Sequence, residues 1–256
     1  MMRVMRTAYR ERLDAFAHDL IRMGDTVQSI MTQASRALLQ GSLQSAEDAL
    51  SLADELEELR VRCEERAVEL LVLEGPVARD LRQVVSSIYI VEDFNRMGAL
   101  ALHVAEAARR RHPGLAVPEQ IHGYFREMVR LVEEMGHTTR DILLAPDADV
   151  AVKLNEEDDA VDDLNEHLLL ILTQREWSHS VREAVDVALL SRFYERYADH
   201  CVNVAARIVY LTTGLMPAEY LAKRESDEAE ADIARRFAEL ERQFSSRGWA
   251  SGGSGR

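Results

Sequence analysis

Two cysteines in 256 residues, Cys63 and Cys201, are too few for a disulfide framework. Nor does Met1-Met2-Arg3-Val4-Met5-Arg6 contain the apolar stretch of a signal segment, so a reducing cytosol is the expected setting. Proline and glycine are scarce, at five and twelve, which suits long helices rather than a turn-rich β-sandwich. No stretch alternates with period two long enough to argue a strand. No uncharged apolar run approaches the ~18–20 residues that span a bilayer. The expectation is therefore a soluble, cytoplasmic protein whose contact with membrane complexes is peripheral. Positive charge is the scarcer sign, with 31 Lys and Arg against 45 Asp and Glu and a net charge of −14. Nucleic acid is thus excluded as a partner on simple electrostatics, and multivalent cations or basic patches fit better. A P-loop, a dinucleotide fingerprint and an activated nucleophile are all missing, so the chain is read as a non-enzyme without an organic cofactor.

What the chain does have is helical periodicity, with 47% hydrophobic and 30% charged residues and enough length to bury a core. Tyr9, Leu13, Phe16, Leu20, Met23, Val27, Ile30, Met31, Ala34 and Leu38 recur every three or four residues, which predicts a first helix over 7–40. A second is predicted over 43–73, with Leu50, Leu56, Leu59, Cys63, Ala67, Leu70 and Leu71 inward. Glu74-Gly75-Pro76 marks a stop and a restart, with Pro76 near the first position of a third helix. That helix runs to about Arg111 through Leu81, Val84, Val85, Ile88, Val91 and Leu102. Its closing Arg109-Arg110-Arg111-His112 suits the helix dipole and reads as a solvated end. Further helices are predicted over 118–144, 148–176 and 180–213, with Gly214 and Pro217 as a stop. A tail helix is expected over 227–244, with Ile233, Phe237, Leu240 and Phe244 on one stripe. Ser245–Arg256, rich in Gly and Ser, is expected to be disordered.

The six long helices read as a duplication of three. Leu38-Leu39, Ala46 and Leu59 map onto Leu143-Leu144, Ala151 and Leu164 at an offset of 105. Met23-Gly24 maps onto Met135-Gly136 at 112, and Arg96 onto Arg196 at 100. The fold class is accordingly all-α: two tandem three-helix bundles, 7–112 and 118–214, followed by a linker and helical tail over 215–256.

Within Arg192-Phe193-Tyr194-Glu195-Arg196-Tyr197-Ala198-Asp199-His200, Glu195 and Asp199 lie one helical turn apart beside an apolar seam. Asp158 and Asp162 repeat that spacing early in the preceding helix. The short link between the two helices makes them antiparallel neighbours and brings both pairs to one level. Four carboxylates there would form a hard, oxygen-rich metal site for iron, manganese, magnesium, calcium or zinc, among which oxygen ligands do not choose. The plainer alternative is two acid pairs on solvated helix faces. In the first repeat the same positions are Ala53, Glu57, Asn95 and Ala99, which retain one carboxylate; Asp54 and Asp93 fall on other faces. Arg82, Arg96 and Arg196 read first as structural ion-pair partners and second as ligands for a phosphate. His103 and His200 read as ordinary hydrogen-bonded residues. Cys63 and Cys201 read as core thiols. Arg96/Arg196 and Gly98/Ala198 are assigned to helix packing.

Pro76-Val-Ala-Arg-Asp80-Leu-Arg82 resembles the P-x-A-x-D-L-R turn of the PhoU family. Tyr194-Glu-Arg-Tyr-Ala-Asp199-His200 resembles its L-E-R-I-G-D signature, and Asp93-Phe-Asn-Arg-Met-Gly98 resembles a copy that has lost two acids. Ile208-Val-Tyr-Leu-Thr-Thr-Gly214 also fits. The resemblance covers roughly 7–214 and is nearest to actinobacterial PhoU-like proteins. It implies two three-helix bundles and a cytoplasmic negative regulator of phosphate uptake and the phosphate-starvation response. It also implies as partners a phosphate ABC transporter ATPase and a sensor histidine kinase, with a homodimer as a further expectation. Metal ions on Asp158, Asp162, Glu195 and Asp199 are implied for the second repeat, with iron, manganese, magnesium or zinc as the expected cofactor. Two alternatives stand beside it. One is a ferritin-like carboxylate redox protein, which would want Glu-x-x-His where Glu195 is followed by Ala198. The other is a metal-free helical adaptor.

Overall fold

Apolar residues spaced three and four apart make helices throughout, and no strand occurs among the described residues. The computed structural model describes residues 2–174 and 177–248, with side chains over 9–73, 75–173 and 177–243. The first repeat consists of α1 (Met2–Gln40), α2 (Leu43–Ser51), α3 (Ala53–Glu74) and α4 (Arg79–Arg111). A 3-10 turn over Glu119–Ile121 opens the second, followed by α5 (His122–Leu144), α6 (Ala148–Gln174) and α7 (Val181–Thr213). These elements form one compact unit up to Gly214, and the described residues from Leu215 onward form another.

On α1, Phe16, Leu20, Met23, Val27, Ile30, Met31, Ala34 and Leu38 are all buried. Burying each large side chain contributes roughly 1.5–3 kcal/mol, so this stripe is a main source of stability. It packs against α2, α3, α4 and α5. The Met23-Gly24/Met135-Gly136 correspondence has a steric basis, Gly136 lying against α1 and Gly24 against α4. A Cβ on Gly136 would lie 1.9 Å from Gln28 Oε1, and one on Gly24 would lie 3.1 Å from the Phe94 ring. The repeats are joined mainly through α4 and α7. Across this seam Arg111 pairs with the buried Asp186, while Tyr194 Oη lies 2.9 Å from Ser35 Oγ on α1.

Several boundaries differ from the periodicity. The second predicted helix is broken at Leu52, where the Ser51 hydroxyl donates to the Asp48 carbonyl at 2.8 Å and competes with the helix ladder. Pro76 does not open α4. Gly75 closes α3 in the left-handed region, and α4 starts at Arg79 after Ala78 at φ 50°. Leu81, Val85 and Ile88 are exposed rather than inward, because the buried stripe of α4 runs through Val84, Ser87, Val91 and Phe94. Arg111 is not a solvated helix end, being held by Asp186. α7 opens on a capping box, Ser180 with Glu183, and closes at Gly214, φ 78°. Arg82 lies against Gly214, where a Cβ would meet its guanidinium at 2.7 Å. The Arg82 turn of one repeat and the Gly214 terminus of the other therefore fit together.

Taken by itself, the second unit is one helix, α8 (Pro217–Gly248), much longer than the predicted 227–244. Pro217 ends nothing here: it is the first residue of α8, where a missing N–H costs nothing. Met216 N–H donates to Glu219 Oε2 at 3.1 Å and Arg224 pairs with Glu228, which supports the first turns. Ile233, Phe237 and Leu240 are exposed along one stripe. The Phe244 side chain and residues 249–256 of the expected disordered tail lie outside the described residues, whereas 245–248 belong to the helix.

Candidate carboxylate site

Val161 and Leu168 are buried on α6, and Leu190, Tyr194, Tyr197 and Ala198 on α7. Packing these stripes together carries the intervening acids into the α6–α7 contact. Glu195 is buried at 7% exposure, and Asp158, Asp162 and Asp199 are half-buried. The four acids sense one another. Burial, then Asp162, Asp199 and Glu195, push the Asp158 carboxyl up to about 7. Burial and Asp199 raise Asp162. Burial and Asp199 raise Glu195 as well, against Arg192, which lowers it. The acids of α6 and those of α7 thus lie within electrostatic reach of one another.

Two of these acids hold a buried oxygen without a hydrogen-bond partner, Asp158 Oδ1 and Glu195 Oε2, and neighbouring Glu157 has a third in Oε2. An unsatisfied buried polar atom costs about 1–3 kcal/mol. Orphaned anionic oxygens among like charges are the surroundings that a hard cation relieves. The donor type suits a hard cation, but the arrangement does not assemble a site for one. Among the described residues no three His, Cys, Asp or Glu side chains converge on one point as ligands would. Glu195 is instead paired with Arg192.

The first repeat has no equivalent group. Glu57 is exposed and paired with Arg60, whose hydrogen bond lowers its carboxyl, and Asp54 is exposed. The remaining sequence candidates separate by environment. Cys63 and Cys201 are buried, and burial pushes each thiol up to about 12. His103 stacks on Phe193 at 5.4 Å. Arg82 faces Gly214 instead of an acid or a ligand site. Arg96 and Arg196 are exposed, so they do not pack helices together. Besides Arg111–Asp186, sequence reasoning missed a second pair across the repeats, His200 Nδ1 with Asp93 Oδ1 at 2.9 Å. Both groups are largely buried, and the pair fastens α7 to α4. The repeat offset aligns Asp93 with Phe193 and His200 with Leu100, so the duplication carries no trace of it.

The PhoU domain family model matches the chain twice, over residues 20–108 and 125–208. Over 213 residues the chain is 50% identical to the phosphate-specific transport system accessory protein PhoU homolog 2 of Mycobacterium tuberculosis, covering 83% of this chain and 100% of that protein. PhoU homolog 1 of Mycobacterium leprae is 46% identical over 213 residues, 83% of this chain and 96% of its own length. The crystal structure of PhoU from Pseudomonas aeruginosa superposes with a TM-score of 0.75 over 81% of this chain and 100% of that one. At 24% identity, that likeness bears on fold alone. With both repeats matched and relatives of this similarity, the chain belongs to the PhoU family.

Proposed function

We propose that this protein is a non-enzymatic negative regulator of phosphate uptake and of the phosphate-starvation response. It acts in the cytoplasm and links the ATPase of a phosphate ABC transporter to a sensor histidine kinase. The observation that carries this reading is the match of both repeats to the PhoU domain. Relatives named as phosphate-specific transport system accessory proteins support it. No single helix among the described residues is long and apolar enough to cross a membrane, which agrees with peripheral attachment to a membrane transporter. Deleting the gene should raise phosphate uptake and starvation-gene expression in phosphate-replete medium. Wild-type levels of both would sink the proposal. Capture of a transporter ATPase or a histidine kinase by the tagged full chain tests the link itself.

In this reading the second repeat holds one or more metal ions, iron, manganese, magnesium or zinc, on Asp158, Asp162, Glu195 and Asp199. A bound metal supplies positive charge where four acids crowd. The chain's own residues do the rest. α6 and α7 each offer two carboxylates, and Arg192 restrains Glu195 from the outer side. The orphaned Asp158 Oδ1 and Glu195 Oε2 are the oxygens with most to gain from a cation.

A further inference from the structure

We propose that the cleft between α4 and α7 binds a phosphate-bearing anion through Arg96, Arg192 and Arg196. This deepens the regulatory reading above, on which its physiological meaning rests; its chemistry stands on the geometry.

The cleft holds about 350 Å³, at the small end of the roughly 300–1,000 Å³ typical of ligand pockets. Three arginines line it together with His103, Phe193 and His200, and no carboxylate does. That is a local reversal of sign in a chain of net charge −14. The acids that partner these cations approach from outside the lining. Glu92 reaches Arg96 at 2.7 Å along the same helix, Glu195 reaches Arg192, Glu106 lies 3.6 Å from His103, and Asp93 holds His200. A guanidinium carries five N–H donors, so one carboxylate leaves part of the fork free to bond a second oxyanion. Among the described residues Arg196 has no hydrogen bond or ion pair, and its charge acts weakly on Glu195.

The repeat explains how the site came to be built. Arg96 and Arg196 are the same position in the two bundles, and the seam sets them on opposite walls of one cleft. The first repeat lost the acids of its signature yet kept this arginine, although neither arginine is buried to pack helices. A ligand shared by both repeats gives both copies one use. Phosphate oxygens match the planar fork of arginine, and paired charge-assisted bonds of this kind are the stronger ones. Phe193, stacked on His103, and Leu100 supply an apolar floor that weakens competition from water. Inorganic phosphate and the phosphoryl group of a small ester share this chemistry.

Isothermal titration of the full chain with orthophosphate, with AMP and with sulfate tests the assignment. Saturable binding of orthophosphate assigns inorganic phosphate, and saturation by AMP alone assigns a phosphate ester. Arg96→Gln and Arg196→Gln, both at exposed positions and checked for unchanged melting, should each weaken binding roughly fivefold to tenfold. Arg130→Gln, an exposed arginine of α5 paired with Glu127 and Glu134, should leave it unchanged. The proposal is overturned if neither orthophosphate nor AMP saturates, if sulfate binds as tightly as both, or if Arg130→Gln weakens binding as much as Arg196→Gln. The deletion phenotype above is read without reference to this binding, so either result can fail alone.

Discussion

Removing a charge from the carboxylate group should make the metal-free protein more stable. Asp158→Asn is the clearest case. Its carboxyl is moved from 3.8 to about 7 by burial and by Asp162, Asp199 and Glu195. At 1.36 kcal/mol per pK unit, a dry site would place about 4 kcal/mol on holding that charge in the folded state. Asp158 is only half-buried, so solvent screening reduces the expected gain to about 1–2 kcal/mol. Asn sacrifices little, since Asp158 Oδ1 already has no hydrogen-bond partner. The pH dependence follows from the raised value. Between about pH 4 and pH 7 the folded chain keeps a proton that the unfolded chain has released. Wild-type stability therefore falls as pH rises through that window, and the advantage of Asn grows across it. In chelator at pH 8 the variant should melt roughly 2–8 °C higher in a calorimetric scan, at about 2–4 °C per kcal/mol for a chain of this size. Saturating manganese(II) should reverse the ranking, because ligand at a hundred times its Kd adds about 2.7 kcal/mol to whichever form binds it. A variant less stable than wild type in chelator at pH 8 would refute the reasoning, since the carboxylate would then be making a structural bond.

Two further substitutions probe the frame around the site. Gly98→Ala places a Cβ 2.2 Å from Leu56 Cδ2, itself buried, so overpacking should cost about 1–3 kcal/mol in urea denaturation; an unchanged midpoint would show that Leu56 simply turns aside. Arg111→Ala strands the buried Asp186 at the repeat seam and should cost about 2 kcal/mol at pH 7. An unchanged urea midpoint would show that Asp186 finds another partner.

Most of the helical order and the duplication were legible because period and register are local properties. The inward stripe of α1 and the packing of α6 beside α7 both followed from three- and four-residue spacing and a short link. Features set by three-dimensional contact were not legible. Ala78 at φ 50° and ψ −112° delays α4 to Arg79, and nothing in Gly75-Pro76-Val77 announces it. Leu81, Val85 and Ile88 carry a helical apolar pattern but face outward, since periodicity says which residues share a face and not whether that face is covered. The Asp93–His200 pair and the Arg111–Asp186 pair both join positions far apart in sequence. Arg96 and Arg196 read as packing residues because both repeats keep them; their exposure and their shared cleft came only from the way α4 meets α7.

We propose that the acids of the second repeat serve a cation that the first repeat cannot hold. Metal content after equilibrium dialysis against manganese(II), read by inductively coupled plasma mass spectrometry, tests it directly on three proteins: wild type, Asp158→Asn/Asp199→Asn and Glu57→Gln. Bound metal is expected in wild type and in Glu57→Gln, and its loss in the double variant with melting intact. Equal metal in all three, or none in wild type, would contradict it.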